Sequence, residues 1–212
     1  MATTDHIHVR SPLDDPQWLA DLGRTEKRCR RYVEELRWPE GISCPRCDCH
    51  SVGAIPARKR HYCRGCGHQF SLTSGTAFHN SHLPIWKWFL AIELLLGSEA
   101  GIPANQLVDL LGGSYKTAWF VEQRIRAALL QAGVQVPDAR PGASYHRPGR
   151  RYLAAYCAES GWRAEHRDDP CAFEKTVRAL ISAEPVPYGE LTGAQDSLRS
   201  MREGRGNALV ST

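Results

Sequence analysis

The chain has 212 residues, with 27 Lys+Arg against 23 Asp+Glu and a formal charge of +4 at pH 7. A composition of 42% hydrophobic and 24% charged residues is that of a globular chain and excludes wholesale disorder; the length suits one or two modest domains. The most apolar run, residues 85–96, carries Lys87 and Glu93 and falls short of the roughly 20 residues of a membrane span, and residues 1–15 hold acids and a proline where an export signal needs an apolar stretch. No membrane partner and a cytoplasmic location are therefore expected. In that reducing setting the eight cysteines read as metal ligands or buried apolar groups, not disulfides.

In chain order, residues 1–24 read as a flexible tail, with a short helix over 16–22. Residues 25–36 place Cys29, Tyr32, Val33 and Leu36 at helical spacing, and Pro39 and Gly41 end the helix. Two cysteine pairs follow, joined by a segment of weak strand character, and residues 68–78 alternate as a strand or hairpin. Pro84 opens an apolar helix over 85–98. Residues 104–111 and 114–131 read as two further helices, and 132–149, rich in Pro and Gly, as a linker. Residues 150–163 and 173–183 read as two helices, and 193–212 as a disordered tail. The fold class is mainly α with a small β-rich zinc ribbon. Residues 25–83 form a helix plus the ribbon, 84–131 a helix-turn-helix region and 150–192 a short helical C-terminal segment.

The pairs Cys44/Cys47 and Cys63/Cys66 each have Cys-x2-Cys spacing, with fifteen residues between them. Such a knuckle aims two thiolates at one centre, and two knuckles joined by a hairpin close a tetrahedral sulfur site that suits structural Zn2+. Iron in a rubredoxin-like site is the chemical alternative. Four cysteines leave no open position, which argues against a catalytic zinc. Gly67 directly follows the second knuckle, where a positive φ is easy for glycine, and Asp48 holds the matching position in the first. Cys49 and His50 are read as bystanders, and Cys157 and Cys171 as buried apolar groups. Arg46, Arg58, Lys59, Arg60 and Arg64 crowd the module. They either contact phosphate or offset the negative charge of four thiolates around one dication.

Residues 104–127 have helix-turn-helix spacing. Leu107 and Leu111 form the inner face of the first helix, Gly112-Gly113 the turn, and Ser114 the cap of the second helix, whose apolar face continues through Ala118, Val121 and Ile125. Tyr115, Lys116 and Thr117 then project from the end where base-edge contacts arise. The alternative is a plain helical hairpin packed on the 85–98 helix. Trp119 and Phe120 read as core or inter-helix contacts, not base stackers. Arg124 and Arg126 either touch phosphate or are solvated.

An ordered chain of motifs runs through Arg37-Trp-Pro-Glu-Gly, Cys44-Pro-Arg-Cys47, Tyr62-Cys-Arg-Gly-Cys66, Gln69-Phe-Ser71, Thr73-Ser-Gly-Thr76, Phe78-His79, Leu83-Pro84, Trp88, Lys116-Thr-Ala-Trp119 and Arg124-Ile-Arg126. It resembles the front half of zinc-ribbon insertion-sequence transposases, the ISXO-like group, over about residues 25–130. The resemblance implies DNA recognition by ribbon and helices, with Cys44, Cys47, Cys63 and Cys66 as the ribbon ligands. It also implies a following RNase H-like domain with an Asp-Asp-Glu site holding two divalent ions. No strand-like run after Leu130 carries an aspartate, and Asp138, Glu159, Asp168, Asp169 and Glu174 lie in linker or helical stretches. Ser144-Tyr-His146, Tyr152-Leu153, Tyr156, Arg163 and Pro187-Tyr-Gly-Glu-Leu-Thr192 resemble the segment beyond the family's catalytic glutamate. These features imply an internal deletion near 136–142 that leaves residues 150–192 as a remnant, and no catalytic residue is carried over.

The function expected is DNA binding of transposase descent without strand cleavage or transfer. The DNA-contact set is Arg46, Arg58, Lys59, Arg60, Arg64, Ser114, Tyr115, Lys116, Thr117 and Arg124. A transcriptional regulator using the same helices, and a zinc-ribbon protein-interaction module, are the alternatives. Expected partners are double-stranded DNA and either an intact transposase or a second copy of the chain, in a nucleoid-associated location.

Overall fold

The computed structural model describes residues 21–99, 101–133 and 151–192. The short helix read over 16–22 therefore falls almost wholly outside the described residues. So do most of the N-terminal tail, nearly all of the linker with the inferred deletion point at 136–142, the Ser144-Tyr-His146 motif, and the C-terminal tail.

Helix α1 spans Leu22–Arg37. Asp21 caps it by accepting the Arg24 N–H at 2.9 Å. Thr25, Cys29, Tyr32 and Val33 are buried along one stripe. The ribbon sheet comprises β1 (Val52–Ile55), β2 (Arg60–Cys63) and β3 (Gln69–Ser71). It is antiparallel in the order β1-β2-β3, with Val52 opposite Cys63 and Tyr62 opposite Gln69. A single 3-10 turn, Pro56–Arg58, connects β1 to β2 and leaves Lys59 at φ 50°.

The strand expected over 68–78 stops at Ser71. Beyond it, hydroxyls compete with the sheet for the backbone. Ser74 Oγ accepts the Ser71 N–H at 2.8 Å, and Thr76 Oγ1 donates to the Thr73 carbonyl at 2.8 Å. Arg37 crosses from α1 to donate to the Leu72 and Ser74 carbonyls. Burial lowers its pKa to about 10.

Helices α2 (Ile85–Gly97), α3 (Ala104–Leu111) and α4 (Tyr115–Gln131) follow. Gly112 makes the turn between the last two at φ 61°, and Lys87 of α2 donates to the Leu111 carbonyl at the end of α3. Helices α5 (Leu153–Glu165), α6 (Ala172–Ser182) and α7 (Tyr188–Thr192) complete the order; α7 has no counterpart among the expected helices.

One hydrophobic core runs from the front of the chain to α6. Tyr32 of α1, Phe89 of α2 and Phe173 of α6 meet at centroid distances of 5.1–6.0 Å, and the Ala77 N–H donates to the Leu180 carbonyl at 2.9 Å. The fold is mainly helical with a small ribbon, as the sequence predicts. Among the described residues no helix is long and apolar enough to cross a membrane.

Candidate metal centre

The two cysteine knuckles are built alike. In the first, the Asp48 N–H donates to the Cys44 carbonyl and the Cys44 N–H to the Cys49 carbonyl. In the second, Gly67 and Cys63 make the same bonds, to Cys63 and His68. The matching turn residues, Asp48 and Gly67, both have positive φ, 53° and 70°. Two local folds of one design thus aim four sulfurs inward. Cys44 and Cys63 are buried, Cys47 and Cys66 exposed, and the four Sγ atoms lie within 4.8 Å of one another. The closest pairs are 3.7 Å (Cys44–Cys66) and 3.5 Å (Cys47–Cys63). Tetrahedral zinc with Zn–S of about 2.3 Å needs sulfurs about 3.8 Å apart, so the donor set fits the ion in chemistry and spacing.

Its electrostatics point the same way. The Cys63 thiol is lowered to about 6, first by the Cys66 N–H, which burial opposes. Cys47 is pushed up to about 12: the Cys49 N–H lowers it, but crowding by the other three thiols outweighs that bond. Sulfurs this close cannot all ionise without a cation between them. Cys49 and His50 lie outside the cluster, and the Cys49 sulfur accepts the Ser51 N–H at 3.4 Å. The centre is a four-cysteine site positioned to bind a structural zinc ion.

Arg46, Arg58, Lys59, Arg60 and Arg64 are all exposed around the ribbon. At the start of α4, Ser114 caps the helix by accepting the Thr117 N–H at 3.2 Å, and its hydroxyl lies 3.0 Å from that of Thr117. Tyr115 and Lys116 are exposed. Leu107, Leu111, Ala118, Val121 and Ile125 are buried, on the face the spacing predicts. Trp119 and Phe120 make inter-helix contacts with Tyr152 and Tyr188. Cys157 is buried as expected, whereas Cys171 is only half-buried.

Arg124 and Arg126 depart from expectation. Both are buried, because carbonyls and carboxylates inside the fold take their donors. Arg124 donates to the Ala77 carbonyl at 2.9 Å and to the His79 carbonyl, with its guanidinium on the Phe120 ring. Arg126 lies between Glu122 and Glu159, 2.5 Å from each, and over the Tyr156 ring. Burial works against its charge, but Glu159 and Glu122 outweigh burial and raise its pKa. Glu159 also pairs with Arg163 at 3.2 Å, and Arg163 donates to the Ser98 and Glu99 carbonyls beyond α2. Sequence reasoning missed this network. Its legible traces are the i,i+4 pairs Glu122/Arg126 and Glu159/Arg163.

Comparison with known proteins places the ribbon. Residues 24–69 match the family described as the transposase zinc-ribbon domain. The chain is also 30% identical over 150 residues to an uncharacterized protein in transposable element ISH50 of Halobacterium salinarum, a match covering 69% of this chain and 46% of that protein. This chain therefore spans under half the length of that relative. No solved structure matches it.

Proposed function

We propose that this chain binds double-stranded DNA at the ends of an insertion sequence, through its ribbon and through α3 and α4 used as a helix-turn-helix, without cleaving or joining strands. The observation that carries the reading is a transposase-type ribbon sharing one core with a helix pair whose second helix begins in solvent. Tyr115 and Lys116 stand at the end of α4 from which base edges are read. Ser114 and Thr117 hold that end in shape by capping it. Arg46, Arg58, Lys59, Arg60 and Arg64 supply phosphate contacts. Arg124 leaves the contact set, since its side chain is buried and one guanidinium nitrogen donates to both the Ala77 and the His79 carbonyl.

The non-cleaving part of the reading draws on three acids of the C-terminal segment that are paired with bases. Glu159 is clamped by two arginines, Asp169 by Lys175 at 2.8 Å and Glu174 by Arg178 at 2.8 Å. Such a protein occupies element ends on the host chromosome and competes there with an intact transposase or pairs with a second copy of itself. A promoter-binding regulator would use the same surface.

A gel shift on terminal inverted repeats, with strand transfer measured in parallel in Mg2+, tests this. Binding should weaken steeply with salt, log K falling about 0.9 per log unit for each neutralised phosphate, and Lys116→Ala should weaken it further. Mg2+-dependent cleavage by the pure protein overturns the non-cleaving part. Occupancy of promoters with none at element ends selects the regulator instead. Absence of salt-dependent DNA binding leaves the ribbon as a protein-interaction module.

A further inference from the structure

Beside the N-terminal end of α4 lies a shallow, solvent-open pocket of about 330 Å³ lined mainly by aromatic rings. Tyr115 and Trp119 come from α4, Tyr152 from the residue preceding α5, and Tyr188 from α7; Lys116 and Thr192 complete the lining. Trp119 meets Tyr152 edge-on at 6.1 Å. Tyr188 packs on Phe120 at 5.7 Å, and the Lys116 ammonium stands 4.5 Å from the Tyr188 ring centroid. Tyr115 and Tyr188 remain 58% and 41% exposed. Rings left this open serve the core little, and three separate stretches of chain converge to place them. The Leu191 side chain, buried in the same short helix, anchors α7 there.

Aromatic faces beside a single cation match the chemistry of a nucleotide, with the base on a ring and the phosphate on the ammonium. A cationic ligand is disfavoured because the Lys116 ammonium in the lining would repel it. An apolar peptide would cover that ammonium without offering it an anion. We propose that this pocket takes an unstacked nucleobase from a single-stranded stretch of DNA, such as an overhang or a frayed end, with Lys116 on its phosphate. The proposal rests on the reading that the chain binds DNA, and it extends the contact surface to Tyr152, just before α5, and to α7, which sequence spacing does not connect to α4.

The test is fluorescence anisotropy of the zinc-loaded full chain on a short labelled oligothymidylate, with a random-sequence duplex run in parallel. Tyr188→Leu and Tyr152→Leu should each lower oligothymidylate affinity about 5- to 100-fold, while Tyr188→Phe retains it. Circular dichroism and zinc content establish that each variant is folded. Unchanged oligothymidylate binding in the folded leucine variants overturns the pocket, as does failure of the wild-type chain to bind oligothymidylate. Tighter duplex binding by Tyr188→Leu without loss of oligothymidylate binding makes α7 a cover over Lys116, and it too overturns the pocket. Wild-type duplex binding reports separately on the double-strand reading, so the two can fail independently.

Discussion

Cysteines a few residues apart have opposite fates in this chain. Cys63 sits in a knuckle whose backbone bonds fix the direction of its sulfur, whereas Cys49 contributes backbone to the first knuckle and its sulfur accepts the Ser51 N–H outside the cluster. Cys63→Ser should therefore lower zinc content, measured by atomic absorption, and unfold the ribbon, because ion binding and local folding are one equilibrium; Cys49→Ser should leave the zinc in place. Cys29 is different again: burial, and then Glu26, push its thiol up to about 12. It should resist iodoacetamide at pH 8 in the native protein while half-buried Cys171 reacts, as peptide mass mapping will read. The ligand set was legible in the sequence because ligand spacing is a local property. The fate of Arg124 was not, because the carbonyls of Ala77 and His79 that take its donors are brought to it only by tertiary packing.

Between elements, α4 and α5 are joined by charge as well as by packing. Glu159 is fully buried with an arginine from each helix. Removing it leaves Arg126 with Glu122 alone and Arg163 with the Ser98 and Glu99 carbonyls but no carboxylate, so Glu159→Ala should cost about 3 kcal/mol in chemical denaturation. Glu122 behaves otherwise. Burial raises its pKa above the ordinary 4.5 despite the offsetting attraction of Arg126. In the interval just above pH 4.5 the folded state thus binds more protons than the unfolded state, and stability attributable to Glu122 falls as pH rises through that interval. Glu122→Gln should remove this slope from a pH series of denaturation midpoints and destabilise far less than Glu159→Ala. The helices themselves were largely legible from their apolar periodicity. Helix α7 was not, since five residues carry too short a period to detect.

For the molecule as a whole, the C-terminal helices are part of the same core as the front of the chain. Phe173 touches both Tyr32 and Phe89, so Phe173→Ala should destabilise by about 3–5 kcal/mol. The loss should appear in α1 and α2 as well as α6, which amide hydrogen exchange will report. The 150–192 segment, read from sequence as a remnant, is thus built into the framework that carries the ribbon and α4.

Residue spacing by itself determined the zinc ligands, the capped start of α4 and the helical stripes. Each depends on neighbours close in the chain, within a turn or two for the helices and across one hairpin for the two knuckles, where stereochemistry leaves few alternatives. Tertiary structure alone decided which arginines face water and which are locked against carbonyls or carboxylates. It also decided that Tyr152 and Tyr188 stand beside Lys116. Those outcomes depend on contacts between segments far apart in the sequence, and such contacts form only when a shared core brings the segments together.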